Sequence, residues 1–278
     1  MLRLLTIELQ KIKYSKSAKA LLIIYFGLFM FIALIASIKF NLGFVEFHLA
    51  EQGIFNFPYI WHFNTYIASF LKIFMAVIIV SMVANEYSNR TLKQNLIDGL
   101  SKKEFILSKF YTVILFALAS TLFIFLVSFV LGLIFSSYTE FSIIFSDLEY
   151  LFAYFIKLVG FFAFCLFLGI WIKRSAFALG FLFVWWIAES IIIGVLKFVI
   201  FKDSLIANKI SQFLPLESIS NLVKQPFTRL NVVQASASQI GADVNWDSSV
   251  SILQLLIVCV WTGIFIFLSY KIIKRRDL

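Results

Sequence analysis

Charged residues are scarce in this chain, since Asp, Glu, Lys and Arg together make up only 14% of it. A soluble domain is typically about a quarter charged and about half apolar, whereas 62% of these residues are hydrophobic. Proline is also rare, with three residues in 278, so long apolar helices are seldom interrupted. These shortages exclude an ordinary soluble enzyme or binding module and predict an integral membrane protein.

Cysteine is nearly absent as well, and no motif for nucleotide chemistry is present. Cys165 and Cys259 lie inside apolar runs, which favours buried small hydrophobic residues over a disulfide. The sequence contains no Gly-x-x-x-x-Gly-Lys-Ser/Thr phosphate loop, so it has no usual site for binding ATP. We also find no Ser, Cys or His constellation that would make a nucleophile. The chain is therefore expected not to be an enzyme.

Histidine is limited to two residues, His48 and His62. Glu46 and Glu51 are the only other candidate ligands nearby, and they lack the spacing of a metal site. We expect no bound metal, and we interpret both histidines as polar residues at the membrane interface.

Six segments reach the roughly 20 apolar residues that a transmembrane helix needs. The predicted fold class is therefore all-α, a polytopic membrane protein with six transmembrane helices in residues 20–278. The predicted spans are Ala20–Ile38, Tyr59–Ala84, Phe105–Ser136, Tyr150–Ile172, Ala176–Phe198 and Val250–Tyr270.

The first 19 residues precede these spans and have a different pattern. Leu2, Leu5, Leu9 and Ile12 recur at helical spacing, with basic residues mostly on other faces. This pattern predicts an amphipathic helix in the headgroup layer of the membrane. An ordinary solvated leader is the alternative.

The distribution of basic residues predicts the orientation. The chain has a net charge of +9, and its basic residues lie at the ends of apolar runs. This placement disfavours nucleic acid as a partner and is typical of topology signals. Lys and Arg are concentrated in the leader, residues 90–109, residues 173–174 and the tail, whereas the third-to-fourth loop has three acidic residues and no basic one. We expect both termini to be cytoplasmic, in the cytoplasmic (inner) membrane of a bacterium.

One predicted outer connection, about 202–249, is long. Its first half has apolar residues broken by Pro215 and Pro226, which favours short amphipathic helices on the outer membrane face. Its second half, around Gln234–Gly241, has the composition of a loop.

The connection between the second and third spans predicts a short cytoplasmic helix at about 86–100. Leu92, Leu96 and Leu100 share one face, and Gly99 is a suitable helix end. Ser101 and Glu104 then form a capping box that starts the next helix. Such a cross-helix offers a surface to a cytoplasmic partner, although a loop that only reverses the chain is the alternative.

This connection resembles that of type-2 ABC transporter permeases, the membrane subunits of bacterial exporters. The similarity rests on the amphipathic leader, the six spans and two motifs. These are Asn85, Glu86, Thr91 and Leu92, then Ser101, Lys102, Lys103, Glu104 and Lys109. Where the family usually has glycine, this chain has Arg90.

The resemblance implies that the cross-helix is a coupling helix that docks on a separate ABC ATP-binding subunit. ATP and Mg would bind to that partner, and this chain would bind no cofactor. A second permease copy, identical or not, would complete the transporter. The residues implied in coupling are Glu86, Arg90, Thr91, Leu92 and Leu96.

Two charged residues fall near the middle of predicted spans, Lys72 in the second and Glu189 in the fifth. A charge at that depth costs about 2.5–3.5 kcal/mol on insertion scales, so each needs a partner or a wet cavity. We expect the two to pair with each other, either in a transport pathway or as a structural bridge. In the resembling family these spans line the pathway at the subunit interface.

Three functions compete on this basis. The first is the permease subunit of an ATP-driven ABC exporter. The second is a carrier or flippase driven by an ion gradient, with Lys72 and Glu189 as a relay. The third is a non-transporting scaffold of a membrane complex.

Overall fold

The fold is all-α and contains six helices that are long and apolar enough to cross a membrane. The computed structural model describes residues 2–38, 40–41, 46–47, 53–138, 140–201, 204–230, 233 and 248–276. The six long helices are α2 (Lys16–Ser37), α3 (Tyr59–Ser88), α5 (Lys102–Phe135), α7 (Glu149–Ile172), α8 (Ser175–Val195) and α11 (Ile252–Arg275). The all-α, six-span prediction is confirmed.

Shorter elements connect the long helices. The leader forms α1 (Leu2–Tyr14), and the other short α-helices are α4 (Thr91–Ile97), α6 (Phe141–Ile144), α9 (Ser204–Ser211) and α10 (Pro215–Ser220). A π-helical turn at Leu196–Ile200 extends α8, and a 3₁₀ turn covers Phe227–Arg229. Two-residue strands β1 (Phe40–Asn41) and β2 (Glu46–Phe47) pair antiparallel, with Phe40 opposite Phe47.

Helix α7 is the centre of the bundle and packs against α3, α5, α8 and α11. It is apolar around its whole circumference, which is the pattern of a helix enclosed by others. Phe162, Phe164 and Leu166 are therefore fully buried. By contrast, α8 is packed along only a small part of its surface, and most of its side chains face outward.

Local sequence explains where the helices begin and end. Ser15 ends the leader and caps α2 by accepting a hydrogen bond from the backbone N–H of Ala18. Ser101 and Glu104 form the expected capping box at the start of α5, so that prediction is confirmed. On either side of α4, Arg90 and Gly99 have positive φ angles of 55° and 96°. These left-handed residues set the sharp turns that lay α4 across the ends of the longer helices.

Helices α9 and α10 lie at the opposite end of the bundle from α4. Pro215 opens α10 at a position where its missing N–H costs nothing. The backbone carbonyl of Ser218 accepts a hydrogen bond from Gln254 Nε2 at 3.2 Å, which ties this segment to α11. The expected helices in the first half of the 202–249 connection are thus present. The Gln234–Gly241 loop prediction lies outside the described residues.

Candidate functional site

A group of four charged side chains, three of them buried, lies beneath α4. Lys109 of α5 is fully buried, and its Nζ lies 2.5 Å from Glu8 Oε2 of α1 and 2.8 Å from Glu86 Oε1 of α3. Lys11 of α1 adds a second cation, with its Nζ 2.6 Å from Glu86 Oε1 and 3.2 Å from Glu8 Oε1. We call Glu8, Lys11, Glu86 and Lys109 the ion cluster. It contains two positive and two negative groups, so the buried charges compensate one another.

Lys11 lies at the edge of the ion cluster, where its side chain is 39% exposed. Partial burial works against its charge, but the hydrogen bonds and negative charges of Glu86 and Glu8 outweigh burial and raise the pKa of Lys11. The leader helix is thereby held to α3 by a cation that stays charged at neutral pH.

The ion cluster also holds α4 in place. Glu86 Oε2 accepts hydrogen bonds from Thr91 Oγ1 at 2.8 Å and from Asn95 Nδ2 at 3.3 Å. Leu92 is 2% exposed and belongs to the apolar core, and Leu96 packs against that core. A seven-residue helix is not stable by itself in water. The position of α4 therefore depends on Glu86 and on this apolar anchor.

The face of α4 that is available to a partner is formed mainly by residues the sequence analysis did not select. Lys93, Gln94 and Asp98 are exposed, and Ile97 is 69% exposed. Of the five implied coupling residues, Arg90 and Thr91 are exposed, Leu96 is partly buried, and Glu86 and Leu92 are buried. Glu86 and Leu92 can thus orient α4, but they cannot touch a docked partner directly.

Further contacts link the ends of the long helices around α4. Lys102 Nζ of α5 donates to the backbone carbonyl of Arg276 at 2.8 Å, just beyond α11. The Arg276 guanidinium donates to Tyr87 Oη of α3 at 3.1 Å and to the carbonyl of Ile170 of α7 at 2.7 Å. Helices α3, α5, α7 and α11 are consequently connected at the same end of the bundle.

Lys72 and Glu189 have different partners, so the predicted pairing between them is wrong. The Glu189 carboxylate accepts hydrogen bonds from Trp185 Nε1 at 2.6 Å and from the backbone N–H groups of Leu216 and Glu217 at 3.0 Å each. The Lys72 ammonium lies 4.5 Å from the centroid of the Phe161 ring. The two residues lie at similar depth in their helices. Each side chain nevertheless contacts the residues that face its own side of the helix.

Both residues nevertheless line one cavity, bounded by α3, α7, α8 and α10, with a volume of about 560 Å³. Lys157 also lines it. Lys157 is 3% exposed and donates to the backbone carbonyls of Ser220 at 3.1 Å and Val223 at 3.4 Å. It fixes the end of α10 over the bundle.

Within the described residues, no group of three or more His, Cys, Asp or Glu side chains is placed to hold a metal ion. His62 is buried, stacks on Tyr150 with ring centroids 4.1 Å apart, and donates a hydrogen bond from Nε2 to the carbonyl of Lys224 at 2.9 Å. It is therefore part of the packing at the α10 end. His48 and Glu51 lie outside the described residues.

The six long apolar helices define a multi-pass membrane protein. A family model covers residues 20–278 and carries the description "protein of unknown function (DUF2705)". Because the match extends over nearly the whole chain, the chain belongs to the DUF2705 family. No curated protein matches the sequence.

Proposed function

We propose that this chain is the membrane-spanning subunit of an ATP-driven exporter, with a separate ABC ATP-binding subunit that docks on α4. The observation that carries the proposal is the two-sided character of α4. Its inner side is fixed by Glu86, Thr91 and Asn95 to a buried ion cluster, while Ile97 on its outer side is 69% exposed.

This arrangement supports transmission of movement from a partner to the long helices. A displacement of α4 acts on Glu86 of α3, and through Lys109 it acts on α5 and α1. Buried ion pairs resist separation because removing one partner leaves an uncompensated charge at a cost of about 3–5 kcal/mol. The cluster would therefore move as a unit rather than break when the partner changes shape.

The exposed face of α4 suits a protein interface in its chemistry. Ile97 supplies a central apolar contact, and Lys93 and Asp98 on either side supply charges of both signs. Interfaces commonly combine an apolar centre with a polar rim. With both termini in the cytoplasm, as the basic residues indicate, this face would meet a cytoplasmic ATPase. A second permease copy would complete the transporter.

The test starts with a search of the neighbouring reading frames for a phosphate-loop ATPase, because the proposal predicts that one is encoded there. The candidate ATPase is then co-expressed with the chain, and the complex is purified and assayed for ATP hydrolysis. We expect Ile97→Asp to weaken the complex at least tenfold, about 1.4 kcal/mol, and to abolish stimulation of ATP hydrolysis. The matched control is Tyr138→Asp, because Tyr138 is 50% exposed at the opposite end of the bundle. Equal binding and stimulation in the two variants would contradict docking on α4.

Two other functions predict different results in the same system. A carrier driven by an ion gradient would continue to move its cargo when the partner cannot hydrolyse ATP, and a scaffold would keep its role. An exporter loses transport in that case. Measuring export with a hydrolysis-deficient partner, and with the ion gradient collapsed separately, distinguishes the three.

A further inference from the structure

The cavity that contains Lys72 opens through the side of the bundle. Four large apolar residues on its lining belong to the outward-facing surface of α3 and α8: Phe70 is 63% exposed, Ile73 42%, Phe183 59% and Trp186 56%. In a membrane this surface faces hydrocarbon, so the opening lies beside the acyl chains of the bilayer. A molecule already dissolved in the bilayer can enter without crossing an aqueous end of the protein.

Lys72 is the charged group of this cavity that the protein leaves without a polar partner. Among the described residues it forms no ion pair or hydrogen bond, and its ammonium lies over the Phe161 ring, 4.5 Å from the ring centroid. The other charges on the lining are occupied. Glu189 accepts three N–H groups, Lys157 donates to two carbonyls, and Glu217 Oε1 accepts from Asn221 Nδ2 at 3.1 Å.

A lone ammonium within a membrane is costly and favours an anionic partner. The cavity volume of about 560 Å³ lies within the range of pockets that hold small molecules. It can therefore take a headgroup and part of a chain. A second copy on the same face would contribute its own residues from that face, and the four outward-facing lining residues named above are apolar and offer Lys72 no anion.

We propose that this cavity binds an anionic, lipid-like amphiphile from the bilayer, with its acidic headgroup on Lys72 and its hydrocarbon chain between α3 and α8. The role of this molecule as cargo rests on the proposed transport function, whereas its binding does not. Binding is therefore measured on the purified chain without an ATPase, so that failure of docking on α4 and failure of this proposal are separate results.

The experiment uses native mass spectrometry of the chain in neutral detergent with equal amounts of phosphatidylglycerol and phosphatidylcholine. The wild type is expected to retain one phosphatidylglycerol with at least tenfold preference. Lys72→Gln should reduce the preference for phosphatidylglycerol over phosphatidylcholine at least tenfold, and Lys72→Arg should keep that preference. Lys271→Gln is the control because Lys271 is exposed on α11, away from the cavity, and it should bind as the wild type does.

Three results would overturn the proposal. The first is equal retention of phosphatidylglycerol by the wild type and Lys72→Gln. The second is an equal loss in Lys72→Gln and Lys271→Gln, which would show general attraction of anionic lipid to surface charge. The third is displacement of the lipid by millimolar inorganic phosphate, which would show that the site takes a free anion. Retained binding in Lys72→Arg, with unchanged thermal unfolding of Lys72→Gln, excludes misfolding as the cause of a loss.

Discussion

Replacing Lys109 by methionine should destabilise the fold far more than the same change at Lys11. Lys109 is 0% exposed and bridges Glu8 and Glu86, whereas Lys11 bridges the same two carboxylates with 39% of its side chain exposed. Breaking a fully buried pair costs about 3–5 kcal/mol. A solvent-exposed pair contributes about 0–1 kcal/mol because water screens it.

A second substitution in the ion cluster should restore part of the stability that Lys109→Met loses. In Lys109→Met, Glu8 and Glu86 are left facing each other with only the partly exposed Lys11 to compensate them. Adding Glu8→Gln removes one of these charges and leaves Glu86 with Lys11, Thr91 and Asn95. The double variant should therefore recover about 1 kcal/mol or more relative to Lys109→Met.

The assay is a titration from mild detergent into sodium dodecyl sulfate, with helix content followed by circular dichroism, which gives the free energy of unfolding of each variant. Lys11→Met serves as the matched control, since it makes the same chemical change one contact away. Equal losses for Lys109→Met and Lys11→Met would refute the buried-charge reasoning. So would a double variant less stable than Lys109→Met.

Three further predictions concern the backbone, the packing and the orientation. Arg90→Gly should raise the free energy of unfolding by about 0.5–1 kcal/mol in the same titration. The reason is that φ is 55° at Arg90, a conformation that glycine adopts without strain. An unchanged or lower free energy of unfolding would argue against backbone strain at Arg90. Gly132→Leu should destabilise the fold by about 1–3 kcal/mol, because even a Cβ at Gly132 would clash with the buried ring of Phe57. Thermal unfolding as in the wild type would contradict this. For the orientation, a cysteine replaces Lys93 in one variant and Ser137 in another, both at exposed positions. In intact cells a membrane-impermeant maleimide should label position 137 and not position 93. Labelling of position 93 alone would reverse the predicted orientation.

The sequence predicted the features that depend on neighbouring residues. The spans follow from apolar length, and the capping box at Ser101 depends on a residue three positions away. Gly99 marks the end of the α4 region because its φ of 96° favours glycine. Each of these signals lies within one helix or turn, so no knowledge of tertiary contacts is needed.

The ion cluster depends on contacts that join distant parts of the chain. Lys109 meets Glu8 across 101 positions, and Lys11 meets Glu86 across 75. One local signal was present: Glu8 shares the helix face of Leu5 and Ile12, and a carboxylate on an apolar stripe needs a buried partner. The motif drew attention to Glu86 and Lys109, but it implied a coupling role at the surface for Glu86 and no role for Lys109.

The Lys72–Glu189 prediction failed for a related reason. Depth along each span was the available information, whereas pairing also depends on how each helix is rotated about its axis. The N-terminus of α10 supplied two backbone N–H groups to Glu189. The position of that short helix could not be inferred from hydropathy.

The central claim, that α4 is the docking surface for an ATP-binding subunit, is tested most directly by photo-crosslinking in membranes. A benzophenone amino acid replaces Ile97 in one variant and Tyr138, at the opposite end of the bundle, in the other. Our account predicts that position 97 crosslinks to the co-expressed ATPase and that position 138 does not. No ATPase adduct at position 97, in membranes where the two subunits still co-purify, would contradict it.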